Sequence, residues 1–255
     1  MMGTHSIVRE NDAEAVCERA TLEFIRLAEE AVAARGRFSV ALSGGSTPRS
    51  LYQLLSGRPN RLRVDWASID FFWGDERCVS PESADSNFRM VSEAMLEKIA
   101  VLDSRIHRME AERDDLEAAA QEYQETIAQV LEVPAEGPPP ALDLVLLGMG
   151  TDGHTASLFP HTQALQETVR WVVPNEVPHL STRRMTMTAP LINAARAVIF
   201  LVVGTSKTNP LASVLAGPSQ PEQFPSQLIA PENGTLSWLV DEAAAAKLPA
   251  PGIES

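Results

Sequence analysis

The run Asp143-Leu144-Val145-Leu146-Leu147-Gly148-Met149-Gly150-Thr151-Asp152-Gly153-His154 restricts the possible folds of this chain more than any other stretch. Its unbroken apolar block from Leu144 to Leu147 is the pattern of a strand buried on both faces, as in parallel sheets covered by helices. Glycines then turn the chain, and the polar triplet Asp152-Gly153-His154 follows directly. Ligands of open parallel sheets bind beyond the carboxyl ends of the strands, so this spacing puts His154 where chemistry takes place. A helix is expected just beyond, capped by Thr155 or Ser157. Gly148-x-Gly150-x-x-Gly153, with Glu176 downstream, also satisfies a dinucleotide fingerprint. A histidine right after the third glycine does not suit a loop that packs on pyrophosphate, so the match is weak.

The rest of the chain repeats the strand, polar loop and helix pattern. Asn11 or Asp12 caps a helix reaching Arg35, with Val16, Ala20, Phe24, Leu27 and Ala31 on one face and Gly36 at its end. Phe38 to Leu42 is a strand, and Ser43-Gly44-Gly45-Ser46-Thr47-Pro48 leads into a helix over Arg49 to Leu55, with Thr47 as cap. Such a loop offers free backbone N–H groups and a positive helix end to an anion. Ile69 to Trp73 is the next strand, closed by Gly74-Asp75-Glu76-Arg77. That loop reads either as a solvated turn or as a cluster in which the acids orient the guanidinium. Asp85-Ser86-Asn87 caps a helix carrying Val91, Met95, Leu96 and Ile99; Ile106 to Met109 reads as a small strand and Arg113 to Leu131 as an amphipathic helix.

Beyond the proline-rich loop Val133 to Ala141, strands are expected at Leu142 to Leu147, Trp171 to Val173, Ala197 to Val203 and Leu236 to Val240. Arg183-Arg184 precedes an edge or transitional strand at Met185 to Thr188. Gly204-Thr205-Ser206-Lys207 leads to a helix over Leu211 to Leu215, and Asp241 caps an alanine-rich terminal helix. Strands alternating with helices throughout predict one α/β domain over residues 1–255, a single doubly wound, mainly parallel sheet with helices on both faces. If the strands are parallel, the polar loops gather along one edge and supply backbone donors, cations and one imidazole. That inventory suits a phosphorylated, oxygen-rich substrate and acid–base chemistry.

The formal net charge of -13 argues against a nucleic-acid or anionic-membrane partner but not against a small anion held by a few local cations. Cys17 and Cys78 are too few for a disulfide framework or a thiolate metal site. No apolar run reaches the ~20 residues of a membrane span, and Met1 to Glu10 lacks the apolar core of a signal peptide. A cytoplasmic protein is the expectation. His5 is expected in a disordered end, and His107, His161 and His179 are read as structural or exposed rather than catalytic.

Taken together, Ser43-Gly44-Gly45-Ser46-Thr47-Pro48, Trp73-Gly74-Asp75-Glu76-Arg77 with Asp85-Ser86-Asn87, and Leu147 to Pro160 resemble the glucosamine-6-phosphate isomerase/6-phosphogluconolactonase family, in particular its lactonase branch. The resemblance continues through Arg184-Met185-Thr186, Gly204 with Lys207, and the tail from Trp238 to Ala246. Deaminases of the family typically follow Asp-Gly-His with Ile-Ala-Phe-Asn-Glu, where this chain has Thr155-Ala156-Ser157-Leu158-Phe159. The resemblance implies a NagB/RpiA-like fold and hydrolysis of 6-phospho-D-glucono-1,5-lactone to 6-phospho-D-gluconate in the oxidative pentose phosphate pathway, without metal or other cofactor. It implies His154 as general base with Asp152 orienting it or acting itself. Ser43, Gly44, Gly45, Ser46, Asp75, Arg77, Gly150, Arg184 and Lys207 are then the substrate- and phosphate-binding residues. The only partner expected is the sugar-phosphate lactone, with no nucleic acid or membrane, and the chain is expected as a monomer or weak homo-oligomer. Two places depart from the family pattern: Thr151 stands where Glu is common, and Thr208-Asn209-Pro210 implies a shortened or re-aimed helix after Lys207.

Overall fold

The computed structural model describes residues 4–249. The first half of the described chain runs β1 (Thr4–Glu10), α1 (Ala13–Arg35), β2 (Phe38–Leu42), α2 (Ser46–Ser56), β3 (Ile69–Trp73), β4 (Asp75–Arg77), α3 (Asn87–Ala94) and α4 (Leu116–Leu131). The second half runs β5 (Leu144–Gly148), β6 (Val172–Val177), β7 (Thr182–Met187), α5 (Ala189–Asn193), β8 (Ala197–Val202), α6 (Thr208–Ala216) and β9 (Thr235–Asp241). Six strands form a parallel sheet in the order β1-β9-β8-β5-β2-β3. Strands β2, β3 and β8 are buried at every position, so both faces of the sheet are covered, as the apolar run of β8 and the near-continuous ones of β2 and β3, broken only by Ser39 and Asp70, require.

The order of strands decides where a ligand fits. From β2 the chain proceeds to β3 on one side, whereas from β5 it proceeds to β8 and β9 on the other. The loops after β2 and β5 therefore diverge from neighbouring strands and leave a crevice between them. The pair is pinned at its opposite end by Asp143. Its carboxylate accepts from the Ser39 backbone N–H at 2.8 Å, the Ser39 hydroxyl at 2.9 Å and the Arg35 guanidinium at 2.6 Å. The core on either side is aromatic and aliphatic, with Phe24, Phe38, Phe71, Phe72 and Trp73 fully buried and Phe200 stacked on Trp238 at 3.8 Å. Helix α1 begins on the Asp12 side chain and ends at Gly36, as expected.

A second sheet departs from the expectation of a single one. Strands β4, β7 and β6 form a small antiparallel sheet in that order. It hangs from the end of β3, where Gly74 donates to Leu42 O at 2.9 Å and accepts from Met187 N at 2.8 Å. Gly74–Arg77 is thus mostly a strand rather than a closing turn, and residues 182–187 form a central strand rather than an edge. Three-residue β4 is too short to signal itself in sequence, and antiparallel partners far apart in the chain leave no local periodicity.

Several boundaries differ for physical reasons. Thr4–Glu10 is an edge strand parallel to β9, so His5 lies in regular structure; its sequence lacks the apolar run of an interior strand because one edge is open. No α-helix follows Asp152-Gly153-His154; Thr155 and Ser157 spend their hydroxyls on Gly148 O and Asp75 instead. Without that helix the dinucleotide reading falls. Residues 106–109 make only an isolated bridge to Phe71, and the terminal helix is a 3-10 turn over Ala244–Lys247, its first N–H held by Asp241 as expected of a cap. Replacing Asp143 by Ala is expected to destabilise the fold by about 3 kcal/mol, because two backbone-proximal donors and a guanidinium lose their acceptor in a buried setting. Urea denaturation measures it, and a loss below ~1 kcal/mol would remove Asp143 as the pin.

Candidate active site

The cavity lies at the carboxyl ends of β2, β5 and β8, roofed by the small sheet, with a volume of about 260 Å³. Its first wall is the loop after β2. Helix α2 starts at Ser46 on Gly45, without a side-chain cap, rather than at Arg49 with Thr47 as cap. The backbone N–H groups of Ser46 and Thr47 are therefore in the first turn, where no intrahelical acceptor exists. The buried Tyr52 hydroxyl fixes this loop from beneath, accepting from Ser43 N and donating to Ser43 O, both at 2.9 Å. Glycine at position 44 leaves room for the Asn87 side chain: a Cβ there would lie 1.9 Å from Asn87 Oδ1.

The second wall is the loop after β5. His154 Nδ1 lies 2.6 Å from Asp152 Oδ1, and the same oxygen accepts from the His154 backbone N–H at 3.1 Å. Burial would raise the Asp152 carboxyl, but the hydrogen bond and charge of His154 outweigh it and hold the group at about 2. An ionised carboxylate only accepts, so Nδ1 carries a proton, and in the neutral imidazole it is Nε2 that presents the lone pair. The imidazole face packs on Phe159 with ring centroids 4.1 Å apart. A Cβ on Gly150 would sit 2.1 Å from His154 Nδ1 and 2.5 Å from Asp152 Oδ1, so glycine is what lets the pair close over the turn. The turn is tied down from outside, where Ser226 donates to Gly153 O from both its N–H and its hydroxyl.

The roof supplies cations. Arg77 and Arg184 stand opposite each other across β4 and β7. Like charges directly opposite in a ladder repel, and the cost is offset where an anion lies between them. Burial and the charge of Arg77 push the Arg184 guanidinium down, and its buried Nε has no hydrogen-bond partner. Burial likewise lowers Lys207, against the pull of Asp152. Among the described residues, none of Arg77, Arg184 and Lys207 has an acidic side chain within 4.0 Å. Unpaired, partly buried cations around a cavity are the electrostatics of an anion site.

Ser43, Gly44, Gly45, Ser46, Asp75, Arg77, Gly150, His154, Arg184 and Lys207 all line the cavity, and Asp152 stands behind His154. Pro210 does not re-aim Lys207. It falls in the first turn of α6, where no N–H is needed, and the preceding 3-10 turn carries Lys207 to the cavity. The acids near Arg77 do not hold its guanidinium, which instead donates to Asp85 O at 2.6 Å. Glu76, pushed up by burial against its backbone donors, caps α3 by accepting from the N–H groups of Asn87 and Phe88 at 2.8 Å each. Asn87, Ser157 and Phe159 also line the cavity and were not assigned from sequence. All three stand inside the quoted motifs, but a helix cap, a hydroxyl and a core aromatic explained them equally well there. Among the described residues no group of three or more His, Cys, Asp or Glu side chains is placed to hold a metal ion.

The profile described as Glucosamine-6-phosphate isomerases/6-phosphogluconolactonase matches residues 11–238. A 6-phosphogluconolactonase of Synechocystis is 43% identical over 231 residues, covering 91% of this chain and 93% of the relative. The solved 6-phosphogluconolactonase of Trypanosoma cruzi superposes with a TM-score of 0.85 at 28% identity, covering 98% of this chain and 99% of that one. A monomeric glucosamine-6-phosphate deaminase shares the fold with a TM-score of 0.78, covering 94% of this chain and 99% of that one, but at 20% identity the likeness extends to the fold alone. A profile spanning most of the chain and relatives matched along nearly their whole length place this protein in the glucosamine-6-phosphate isomerase/6-phosphogluconolactonase family.

Proposed function

We propose that this chain is a 6-phosphogluconolactonase, hydrolysing 6-phospho-D-glucono-1,5-lactone to 6-phospho-D-gluconate in the oxidative pentose phosphate pathway. The observation that carries the reading is one cavity in which a histidine with its Nδ1 held by Asp152 faces unpaired cations. His154 Nε2 takes a proton from water as the oxygen attacks the lactone carbonyl carbon. The ester C–O bond of the ring then breaks, and the ring oxygen leaves as the hydroxyl, taking the proton that His154 Nε2 received from the water. A strained ester needs only a positioned nucleophile, a base and donors for the developing oxyanion. Arg184, Lys207, Ser43 and the Gly44–Ser46 backbone bind the phosphate; Arg77 faces Arg184 and serves the phosphate or the oxyanion. Gly150 leaves room for the catalytic pair.

Asp152 serves better as orienting group than as base. A carboxylate held at about 2 is a weak proton acceptor near neutrality, whereas its charge fixes the tautomer and steadies the imidazolium that forms. We further propose that residues 1–255 act as one domain, in the cytoplasm, as a monomer or weak homo-oligomer without nucleic-acid or membrane partners. The net charge of -13 speaks against nucleic-acid and anionic-membrane partners, and no helix among the described residues is long and apolar enough to cross a membrane.

The deciding experiment follows decay of the phosphorylated δ-lactone at mildly acidic pH, where spontaneous opening is slow. Acceleration is expected, with the unphosphorylated lactone a poor substrate and no ammonia released from glucosamine 6-phosphate. An unchanged decay rate refutes the reading. Replacing His154 by Asn should lower kcat by ~10²–10⁴-fold with little change in KM, since the phosphate is gripped elsewhere. Gly150→Ala should lower kcat by ~10²-fold by displacing the pair.

The folded Asp152 value lies below the ordinary carboxylate value of ~3.9, so the stability this group contributes is complete above ~pH 4 and is lost only as the pH falls toward 2. It therefore adds no limb to a rate profile between ~pH 5 and 8. An acid limb seen in that range should vanish in His154→Asn; its persistence would reassign the base. Arg184→Ala should mainly raise KM, by ~10–100-fold, the worth of ~1.5–3 kcal/mol for a charge-assisted contact to a remote group.

A further inference from the structure

Phe159 lines the cavity beside the base yet carries no group that binds phosphate or moves a proton. It is only 5% exposed, and its ring stacks on the His154 imidazole with centroids 4.1 Å apart and planes 30° from parallel. The chain between the two residues doubles back to bring them together. Thr155 donates its hydroxyl to Gly148 O at 2.8 Å, Leu158 N–H closes a turn on Thr155 O at 2.9 Å, and Ser157 N–H donates to Thr186 Oγ1 at 3.1 Å. Beyond the turn, Thr162 donates its hydroxyl to Phe159 O at 2.8 Å. His179, at the turn between β6 and β7, packs on the same ring with centroids 5.7 Å apart and planes at 67°. The Phe159 ring is therefore a fixed surface against which the imidazole lies.

The charges around the imidazole decide what such a surface contributes. When Nε2 takes a proton from water, the imidazole becomes a cation in a cavity that already holds Arg77 from β4, Arg184 from β7 and Lys207 from the turn before α6. All three oppose the new charge. Asp152 favours it, 2.6 Å from Nδ1, as does Asp75 of β4, whose Oδ2 accepts from the Ser157 hydroxyl at 2.6 Å. Glu222, in the loop behind the turn, gives its carboxylate to Gln166, and exposed His179 lies beyond Phe159. The face of an aromatic ring is electron-rich and attracts a cation within ~6 Å of its centroid, the more so away from water. An imidazolium stacked on Phe159 meets that condition, whereas a neutral imidazole gains less.

Building on the lactonase reading, we propose that Phe159 is a positioning residue for the catalytic base: its ring face sets the plane of the His154 imidazole and stabilises the imidazolium formed in the proton transfer. The proton that Nε2 takes from water leaves with the ring oxygen of the lactone, so the imidazole is charged only between those two transfers. A contact that strengthens as the charge develops favours the transition state over the ground state. A Phe159 that only filled space would be replaceable by any apolar side chain of similar size.

The test follows the His154 imidazole by NMR across pH in the substrate-free protein, its signal identified by its absence from His154→Asn. Phe159→Leu keeps apolar bulk and removes the aromatic face. Its His154 half-titration is expected at lower pH than in the unaltered protein by about 0.4–1.5 units, the equivalent of ~0.5–2 kcal/mol of cation–π attraction. Its kcat should fall by ~3–30-fold with KM within about threefold. Phe159→Tyr keeps the face and should stay within about 0.2 units and threefold in kcat. In an Asp152→Asn background the Phe159→Leu shift should keep at least about half its size, since the ring face acts on the imidazolium directly. Should Phe159→Leu not fold, as judged by circular dichroism, Phe159→Met is read in the same way. A half-titration unmoved by the loss of the ring overturns the proposal, as does Phe159→Tyr shifting as far as Phe159→Leu. A shift that vanishes with Asp152→Asn also overturns it, because Phe159 then acts only by packing the His154–Asp152 pair. Absence of turnover of the phospholactone by the unaltered enzyme overturns the lactonase reading, a result distinct from a titration measured without substrate.

Discussion

Two parallel strands, β2 and β5, lie side by side while their outgoing connections run to opposite sides of the sheet, and most of what this protein can do depends on that pairing. Parallel strands end at the same edge, so both outgoing loops reach one crevice. Asp143 secures the register from the far end, accepting from both the N–H and the hydroxyl of Ser39. A slip of one residue would turn every side chain of a fully buried strand toward the other face, which neither face of this core would accommodate. The active-site geometry thus rests on a polar contact at the opposite end of the sheet.

The crevice is completed by backbone geometry as much as by side chains. Gly44 yields space to Asn87, and Gly150 yields space to the His154–Asp152 pair. Tyr52 holds the first loop from below, and Ser226 anchors the second from outside. Such supports keep donors and the imidazole oriented before substrate arrives, so little reorganisation is required during reaction. The small antiparallel sheet adds the opposing Arg77–Arg184 pair, whose mutual repulsion is sustained by burial within a rigid ladder.

Charge is distributed on two scales. The chain as a whole is strongly acidic, yet the cavity gathers Arg77, Arg184 and Lys207 with no acidic side chain among the described residues within 4.0 Å of them. Beyond a Debye length of ~8 Å the distant carboxylates are screened, so the local cations govern what binds. Within that cationic cavity, Asp152 and Asp75 are each held by defined hydrogen bonds, the first to the imidazole and the second to Ser157.

Much of this was legible in the residues themselves. Apolar or near-continuous apolar runs identified β2, β3, β5 and β8, and the caps Asp12 and Gly36 delimited α1, because these signals are local: burial on both faces and unsatisfied helix ends act within a few residues. The motif loops likewise named ten of the residues that line the cavity, though not Asn87, Ser157 or Phe159. What the sequence could not decide was long-range pairing. Strand β1 finds β9 across more than two hundred residues, and the ladder that sets Arg77 against Arg184 joins segments a hundred residues apart; neither leaves a periodic trace. The start of α2 at Ser46, the missing helix after His154 and the turning of Glu76 from Arg77 to the α3 cap depended on which donors and acceptors met in space. Local chemistry chose the residues of the site, and tertiary hydrogen bonding chose their partners, because a polar group takes the nearest partner in the fold rather than the nearest in the chain.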